Sequence, residues 1–250
     1  MNFNDPQTWK NYDAANQAEL RFAKLLSLLD PLTINILDVG SGNGLITNKL
    51  HDRFEVSAMD ISEAALQSVI CSKVVASITS IPFADNSFAT LNCNEVLEHL
   101  TDQELTLSLT ELKRVAQKHI IIGVPHQEQL PRYHYRCAVC GNIEHPYGHL
   151  QSFDDKRLNA LLEPEFYLKK RLVYGPSEID YIPLLLYIRQ YFLKQWFNPY
   201  DACSCSRCGS TSFDTRKNPI TKLLNGLNRL IMKPRPYWFL GLYERKGAGI

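Results

Sequence analysis

The feature that most constrains this chain is a glycine turn set between a strand and a helix. Residues 34–39 read as a short buried strand that runs into Gly40-Ser41-Gly42-Asn43-Gly44, and a helix is expected to follow to about His51. Glycines let the backbone turn sharply and approach a ligand where a Cβ would stand in the way. A dinucleotide loop would have a further glycine at position 45, completing G-x-G-x-x-G, but Leu45 stands there. Asp38, two residues before the first glycine, also suits an ammonium group better than an anionic pyrophosphate.

Around this turn the chain alternates strands with helices. Ala18, Phe22, Leu25, Leu26 and Leu29 have helical spacing over residues 14–29, and Pro31 stops that helix. Further strands are expected over 54–59, closing on Asp60, and over 74–78, 88–93 and 119–124, the last ended by Pro125. Helices are expected over 62–71 and 104–116. Such alternation builds βαβ units and a parallel sheet with helices on both faces. Beyond Pro125 the pattern loosens. Residues 126–150, rich in His, Tyr, Pro and Cys, read as an inserted loop. A helix over 153–162, a strand over 167–174, helices over 177–197 and 218–232, and a final aromatic strand over 237–243 complete the reading.

A chain of 250 residues, 45% hydrophobic and 21% charged, holds one sizeable core with a small appendage. Its longest apolar stretch, residues 182–197, is broken by Arg189, Gln190, Lys194 and Gln195, so no membrane span is expected. The opening MNFNDPQTWK lacks the basic start and apolar middle of a signal peptide, and a cytoplasmic location follows as the expectation. The net charge of +1 hides an asymmetry: residues 1–100 carry 6 Lys/Arg against 12 Asp/Glu, and residues 206–250 carry 9 against 2. The basic end is either a solvated surface or a contact for phosphate, nucleic acid or lipid headgroups.

The blocks ILDVGSGNG, an acidic residue closing the second strand, and SIPFADNSFATLNCNEVLEHL follow one another in order. Together they resemble the class I S-adenosylmethionine-dependent methyltransferases of the type 11, small-molecule group, over roughly residues 34–125. The resemblance implies a Rossmann-like α/β sheet with helices on both faces. It implies that Asp38 and the Gly40, Ser41, Gly42 and Gly44 backbone hold the methionine end of the cofactor, and that Asp60 accepts bonds from both ribose hydroxyls. Ile61 is a further cofactor-binding residue, Ser77 and Ile78 fall at the adenine edge, and Asn94 lines the methionine pocket. Ser77 stands where an acidic residue is common, and Ala89 replaces an Asp after Phe88. Read alone, Asp38 caps a turn, and Asp60 caps the next helix with Ser62.

The acceptor needs alignment behind the cofactor's methyl group and, for an O–H or N–H nucleophile, a base. His126, His134, His145 and His149 lie past the fifth strand, where a parallel sheet carries its substrate loops. Gly148-His149-Leu150-Gln151-Ser152-Phe153 resembles a GHLRSF-like stretch of related methyltransferases, which makes His149 the best single catalytic candidate, although a structural or metal-adjacent role is the favoured reading of it. His99 reads as a packed histidine. Asn92-Cys93-Asn94-Glu95 is not the Asn/Asp-Pro-Pro-Tyr signature of nucleic-acid amino methylation, and no Pro-Cys nucleophile marks cytosine C5 chemistry.

Five of the seven cysteines fall in two segments, and two of these groups are C-x-x-C-G units: Cys137/Cys140 before Gly141, and Cys205/Cys208 before Gly209. Two intervening residues let both thiolates reach one tetrahedral metal, so a structural zinc with four protein ligands is expected. Cys203 and His145 are alternative ligands; reduced thiols or a redox dithiol are the bland readings. The zinc would tie the insertion to the segment between the last two strands and form a substrate cap.

These readings divide the chain into an N-terminal helical segment (1–30), a cofactor-binding core (31–125), a zinc-knuckle insertion (126–150), the rest of the core sheet (151–175 and 236–250) and a helical cap with the second knuckle (176–235). The expected function is methyl transfer to an O or N of a small or medium, anionic acceptor, glycan- or lipid-linked. The alternatives are an RNA methyltransferase using the zinc unit and basic segment, and a non-catalytic cofactor-binding scaffold. Ordinary packing of the two cap helices is expected ahead of peripheral membrane contact.

Overall fold

The computed structural model describes residues 17–199, 203–216 and 218–247. The first half is built from helix α1 (Ala18–Leu26), strand β1 (Asn35–Val39), α2 (Thr47–His51), β2 (Glu55–Asp60), α3 (Glu63–Leu66), β3 (Ser72–Val75) and β4 (Phe88–Asn94). A single 3-10 turn (Leu97–His99), α4 (Asp102–Val115) and β5 (Ala116–Pro125) follow. The second half contains α5 (Leu130–Tyr133), β6 (Tyr135–Arg136), β7 (Ile143–Glu144), α6 (Asp155–Leu162), β8 (Phe166–Glu178), α7 (Pro183–Tyr187) running into a π-helical turn (Ile188–Phe192), α8 (Pro219–Ile231) and β9 (Arg235–Arg245).

Seven strands form one sheet in the order β3-β2-β1-β4-β5-β9-β8. β1 to β5 are parallel; β9 runs antiparallel between β5 and β8. Both faces are covered, so the central strands are buried along nearly their whole length rather than alternating. In β5, Ile120 and Ile122 enter the core shared with α4 and α6, and Ile121 enters the opposite core shared with α1, α2 and α3. Thr101 caps α4: its hydroxyl accepts from Glu104 N, while the Glu104 carboxylate accepts from Thr101 N at 2.9 Å. The Rossmann-like expectation is met.

Several boundaries differ from the sequence reading, each for a physical reason. β3 lies at 72–75 rather than 74–78; it is an edge strand, and Ile78 belongs to the loop that dips into the core. The helix expected over 62–71 is one turn, capped by Ser62. β8 continues past Gly175-Pro176 to Glu178, because a register shift between Tyr174 and Ser177 absorbs the glycine (φ 96°) as a bulge. The helix expected over 177–197 starts at Pro183 and ends at the π turn, beyond which Trp196 N donates to Asp214 O at 3.2 Å. The supposed loop 126–150 contains α5 and the β6–β7 hairpin.

α8 packs through its polar side rather than its leucines. Its polar side faces inward: Asn228 Oδ1 accepts from Ile182 N at 2.9 Å, Asn228 Nδ2 donates to Asp180 O at 2.8 Å, and Asn225 accepts from the Tyr181 hydroxyl. These bonds satisfy the backbone leading into α7, and they turn Leu223 (73% exposed), Leu230 (86%) and Ile231 outward. No helix among the described residues is long and apolar enough to cross a membrane. Residues 14–16 of the expected first helix and residues 248–250 of the expected core lie outside the described residues.

Candidate active site

Parallel pairing sets the C-terminal ends of β1, β2 and β4 side by side, and the glycine turn crosses them. Gly40, Gly42 and Gly44 all have positive φ (74°, 54° and 80°). A Cβ at Gly40 would lie 2.2 Å from Val96 Cγ2, so the turn is pressed against the segment following β4. Gly40 N and Ser41 N both donate to Met59 O.

Asp38 lies opposite Asn92 in register and is buried. One of its oxygens accepts from Thr47 Oγ1 at 2.5 Å and the other from Asn92 Nδ2 at 2.7 Å. Burial, with Asp60 nearby, raises its carboxyl above the ordinary range despite those bonds. Asn92 in turn accepts from Asn94 Nδ2 at 2.7 Å. Asp60, at the end of β2, accepts from Gly42 N and Ser62 N, both at 2.8 Å; burial raises its carboxyl as well. The Ile61 backbone also contributes, and since a carboxylate offers about four lone-pair sites, room remains for a ligand's hydroxyl.

Three observations bear on whether the methyl donor fits. Ser41 Oγ and Asn94 Oδ1 are buried with no partner among the described residues, and such atoms are costly unless a ligand meets them. Ile61 beside Asp60 is 68% exposed, an apolar surface available to a planar base. Ser77 Oγ lies 2.8 Å from Thr79 Oγ1 in the loop after β3. Ile78, by contrast, sends its side chain into the core, which leaves its main chain as the part able to meet a ligand.

Beyond Asn94 the chain enters a buried polar cluster that the sequence reading saw only in part. His149 Nδ1 lies 2.5 Å from Glu128 Oε2. His145 stacks on His149 with ring centroids 4.5 Å apart, and His99 meets it edge-on at 4.9 Å. Burial, with His149 alongside, lowers the His99 imidazole to about 3. Glu98 is fully buried, and burial together with Glu95 pushes its carboxyl well above the usual range. The Tyr237 hydroxyl donates to Glu128 Oε1 at 3.3 Å. Glu98 and Glu128 were missed: in sequence they are single carboxylates on separate segments, brought together by the ends of β4 and β5. His126 stacks on Phe239 outside the cluster, and His134 lies at its edge, 6.3 Å from His145.

The four C-x-x-C-G cysteines converge. Cys137 and Cys208 sulfurs are 3.6 Å apart, as are those of Cys140 and Cys205, and all four lie within 4.8 Å of one another. Zinc–sulfur bonds of about 2.3 Å in a tetrahedron put sulfurs about 3.8 Å apart, so the set has the dimensions of a zinc site. Both knuckles turn through a glycine of φ 72°, with Gly141 N donating to Cys137 O and Gly209 N to Cys205 O. His145 belongs to the Glu128 cluster, and Cys203 is outside the four.

Residues 37–122 match the family model described as "Methyltransferase domain". No curated protein sequence matches the chain. Among solved structures, a SAM-dependent methyltransferase from Archaeoglobus fulgidus is similar over 96% of this chain and 100% of its own, with 16% identity and a TM-score of 0.57. The N-methyltransferase NodS from Bradyrhizobium japonicum, in complex with S-adenosyl-L-homocysteine, covers 98% of this chain and 94% of its own, with 14% identity and a TM-score of 0.53. Magnesium protoporphyrin IX methyltransferase from Synechocystis, with bound SAH, covers 92% and 81%, at 12% identity and a TM-score of 0.52. Residues 37–122 are thus similar to a methyltransferase domain, and the sheet around them has the fold of S-adenosylmethionine-dependent methyltransferases.

Proposed function

We propose that this protein transfers a methyl group to an oxygen or nitrogen of a small or medium acceptor held at an anionic membrane surface, a lipid-linked molecule in particular. The observation that carries the catalytic part is the His149–Glu128 contact of 2.5 Å, two short segments beyond the Asn94 pocket. S-adenosylmethionine supplies an electrophilic methyl on a sulfonium centre. Asp60 would accept from the ribose hydroxyls, with Ile61, Ser77 and the Ile78 main chain at the base. The Gly40–Gly44 backbone, Asp38 and Asn94 would hold the methionine end. Glu128 on Nδ1 fixes the His149 tautomer and leaves Nε2 to take the acceptor's proton. Cys137, Cys140, Cys205 and Cys208 would hold a structural zinc, stapling the 126–150 insertion to the cap over that pocket.

The lipid-linked reading is supported by α8, whose leucines face solvent beside Lys222, Arg229 and Lys233. RNA would use the same positive charge but has no use for exposed leucines. The test is transfer of radiolabelled methyl from the cofactor into fractionated cell extract. Label in the lipid fraction is expected, with His149→Ala lowering turnover about 10²–10⁴-fold while cofactor affinity holds. Label confined to RNA, or unchanged by His149→Ala, would overturn the corresponding part.

A further inference from the structure

We infer that a divalent transition-metal ion binds between Glu98, His99 and His149, next to the methyl-donor pocket. Each of the three offers one ligand atom, and these atoms lie within 4.8 Å of one another. Glu98 is 0% exposed, and neither of its carboxylate oxygens meets another residue's donor among the described residues. A buried carboxylate without a partner is costly, and a cation removes the cost.

The surroundings have the form of a ligand shell's support. Metal-bound histidines hold their second ring nitrogen on a carboxylate or a backbone carbonyl. His149 places Nδ1 on Glu128, which leaves Nε2 as the ring nitrogen able to ligate, and His99 has a hydrogen bond to the Gly148 backbone. Leu150 N and Gln151 N both donate to Glu98 O, at 2.7 and 3.0 Å, so the His149 loop is fastened to the 3-10 turn carrying Glu98 and His99.

A second grouping, Glu128 with His145 and His149, is equally compact but has the wrong protonation. His145 Nδ1 accepts from Tyr147 N and His149 N, both at 3.3 Å, so its proton sits on Nε2, which faces Glu128 Oε1 at 3.7 Å. The Glu128–His149 separation of 2.5 Å is a hydrogen bond, whereas two atoms on one metal with bonds of about 2.1 Å stand about 3.4 Å apart. Glu128 and His145 therefore support the site and do not ligate.

Two imidazoles and one carboxylate leave coordination positions open, a donor set that suits zinc, iron or manganese. The inference rests on the methyl-transfer reading for its purpose: His149 Nε2 is the base in the metal-free protein, and with the ion seated it becomes a ligand while the ion would make the acceptor's O–H acidic enough to lose its proton to solvent, so His149→Ala removes either arrangement. Its test does not rest on that reading.

Purified full-length protein, saturated with zinc and dialysed, should hold two equivalents by elemental analysis. Glu98→Gln should hold one, and Cys140→Ser with Cys208→Ser should lose the other. S-adenosyl-L-homocysteine affinity of Glu98→Gln by calorimetry reports that the fold is intact. Glu128→Gln should weaken the second equivalent about 10–100-fold. As a readout on wild type alone, Mn(II), which thiolates disfavour, should titrate to one site by electron paramagnetic resonance. One zinc equivalent at saturation, a folded Glu98→Gln that keeps two, or no Mn(II) site would overturn the inference. A metal-loaded protein that methylates nothing would sink the transfer reading and leave the site standing.

Discussion

Gly40 is where sequence chemistry and geometry meet most tightly. Its φ of 74° is one that side chains resist, and an added Cβ would strike Val96 Cγ2 at 2.2 Å. Gly40→Ala should therefore weaken S-adenosyl-L-homocysteine binding about 10–100-fold by calorimetry. Adding Val96→Ala removes the clash and should restore part of the loss, leaving the conformational cost of about 1–2 kcal/mol. Unchanged affinity in the single variant would show that the turn does not approach the ligand. This residue was legible because a glycine turn after a strand has few mechanical meanings. Glu98 and Glu128 were not legible. Their chemistry comes from burial and from neighbours such as His149, which lies 21 positions from Glu128, and an isolated Glu carries no mark of either.

At the scale of elements, the parallel half was readable because strands buried on both faces are apolar runs bounded by turn residues. The second half was less so, because spacing of apolar residues does not say which face is inward. In α8 the inward face is Thr221, Asn225 and Asn228, chosen by hydrogen bonds to a neighbouring segment. The knuckles are the opposite case: two C-x-x-C-G units announce a shared site whatever lies between them. Their link is visible in the strand-like contacts of Cys137 with Phe213 and of Gln195 with Thr215. Replacing Cys140 and Cys208 by Ser should release zinc and free the backbone around the already exposed Arg207 and Arg216, so limited trypsin digestion should nick the 203–216 segment faster than in the zinc-loaded protein. Equal digestion rates with equal zinc content would refute the staple.

Across the whole molecule, charge and exposed apolar side chains are distributed unevenly. Between Asp214 and Glu244 the sequence has no acidic residue, while Arg216, Lys217, Lys222, Arg229, Lys233 and Arg235 all fall there. The same region exposes Leu223, Leu227, Leu230 and Ile231 on α8, and Leu184, Tyr187, Tyr191 and Phe192 on the α7 segment bonded to it. Water gains nothing from such a surface, and a lone basic patch would not need the leucines. An anionic bilayer satisfies both, since each buried CH₂ contributes about 0.8 kcal/mol and each basic residue near the surface about 1 kcal/mol. The full chain should then co-float with vesicles containing about one-third phosphatidylserine and bind neutral vesicles at least tenfold more weakly, with salt reducing the difference. Leu223→Ser with Leu227→Ser and Leu230→Ser should abolish flotation while cofactor affinity stays, because those side chains touch neither the donor pocket nor the knuckles. Flotation that survives the triple variant would mean the charges act alone. Failure of the wild type to float would leave this face to a different occupant and remove the support for a lipid-linked acceptor.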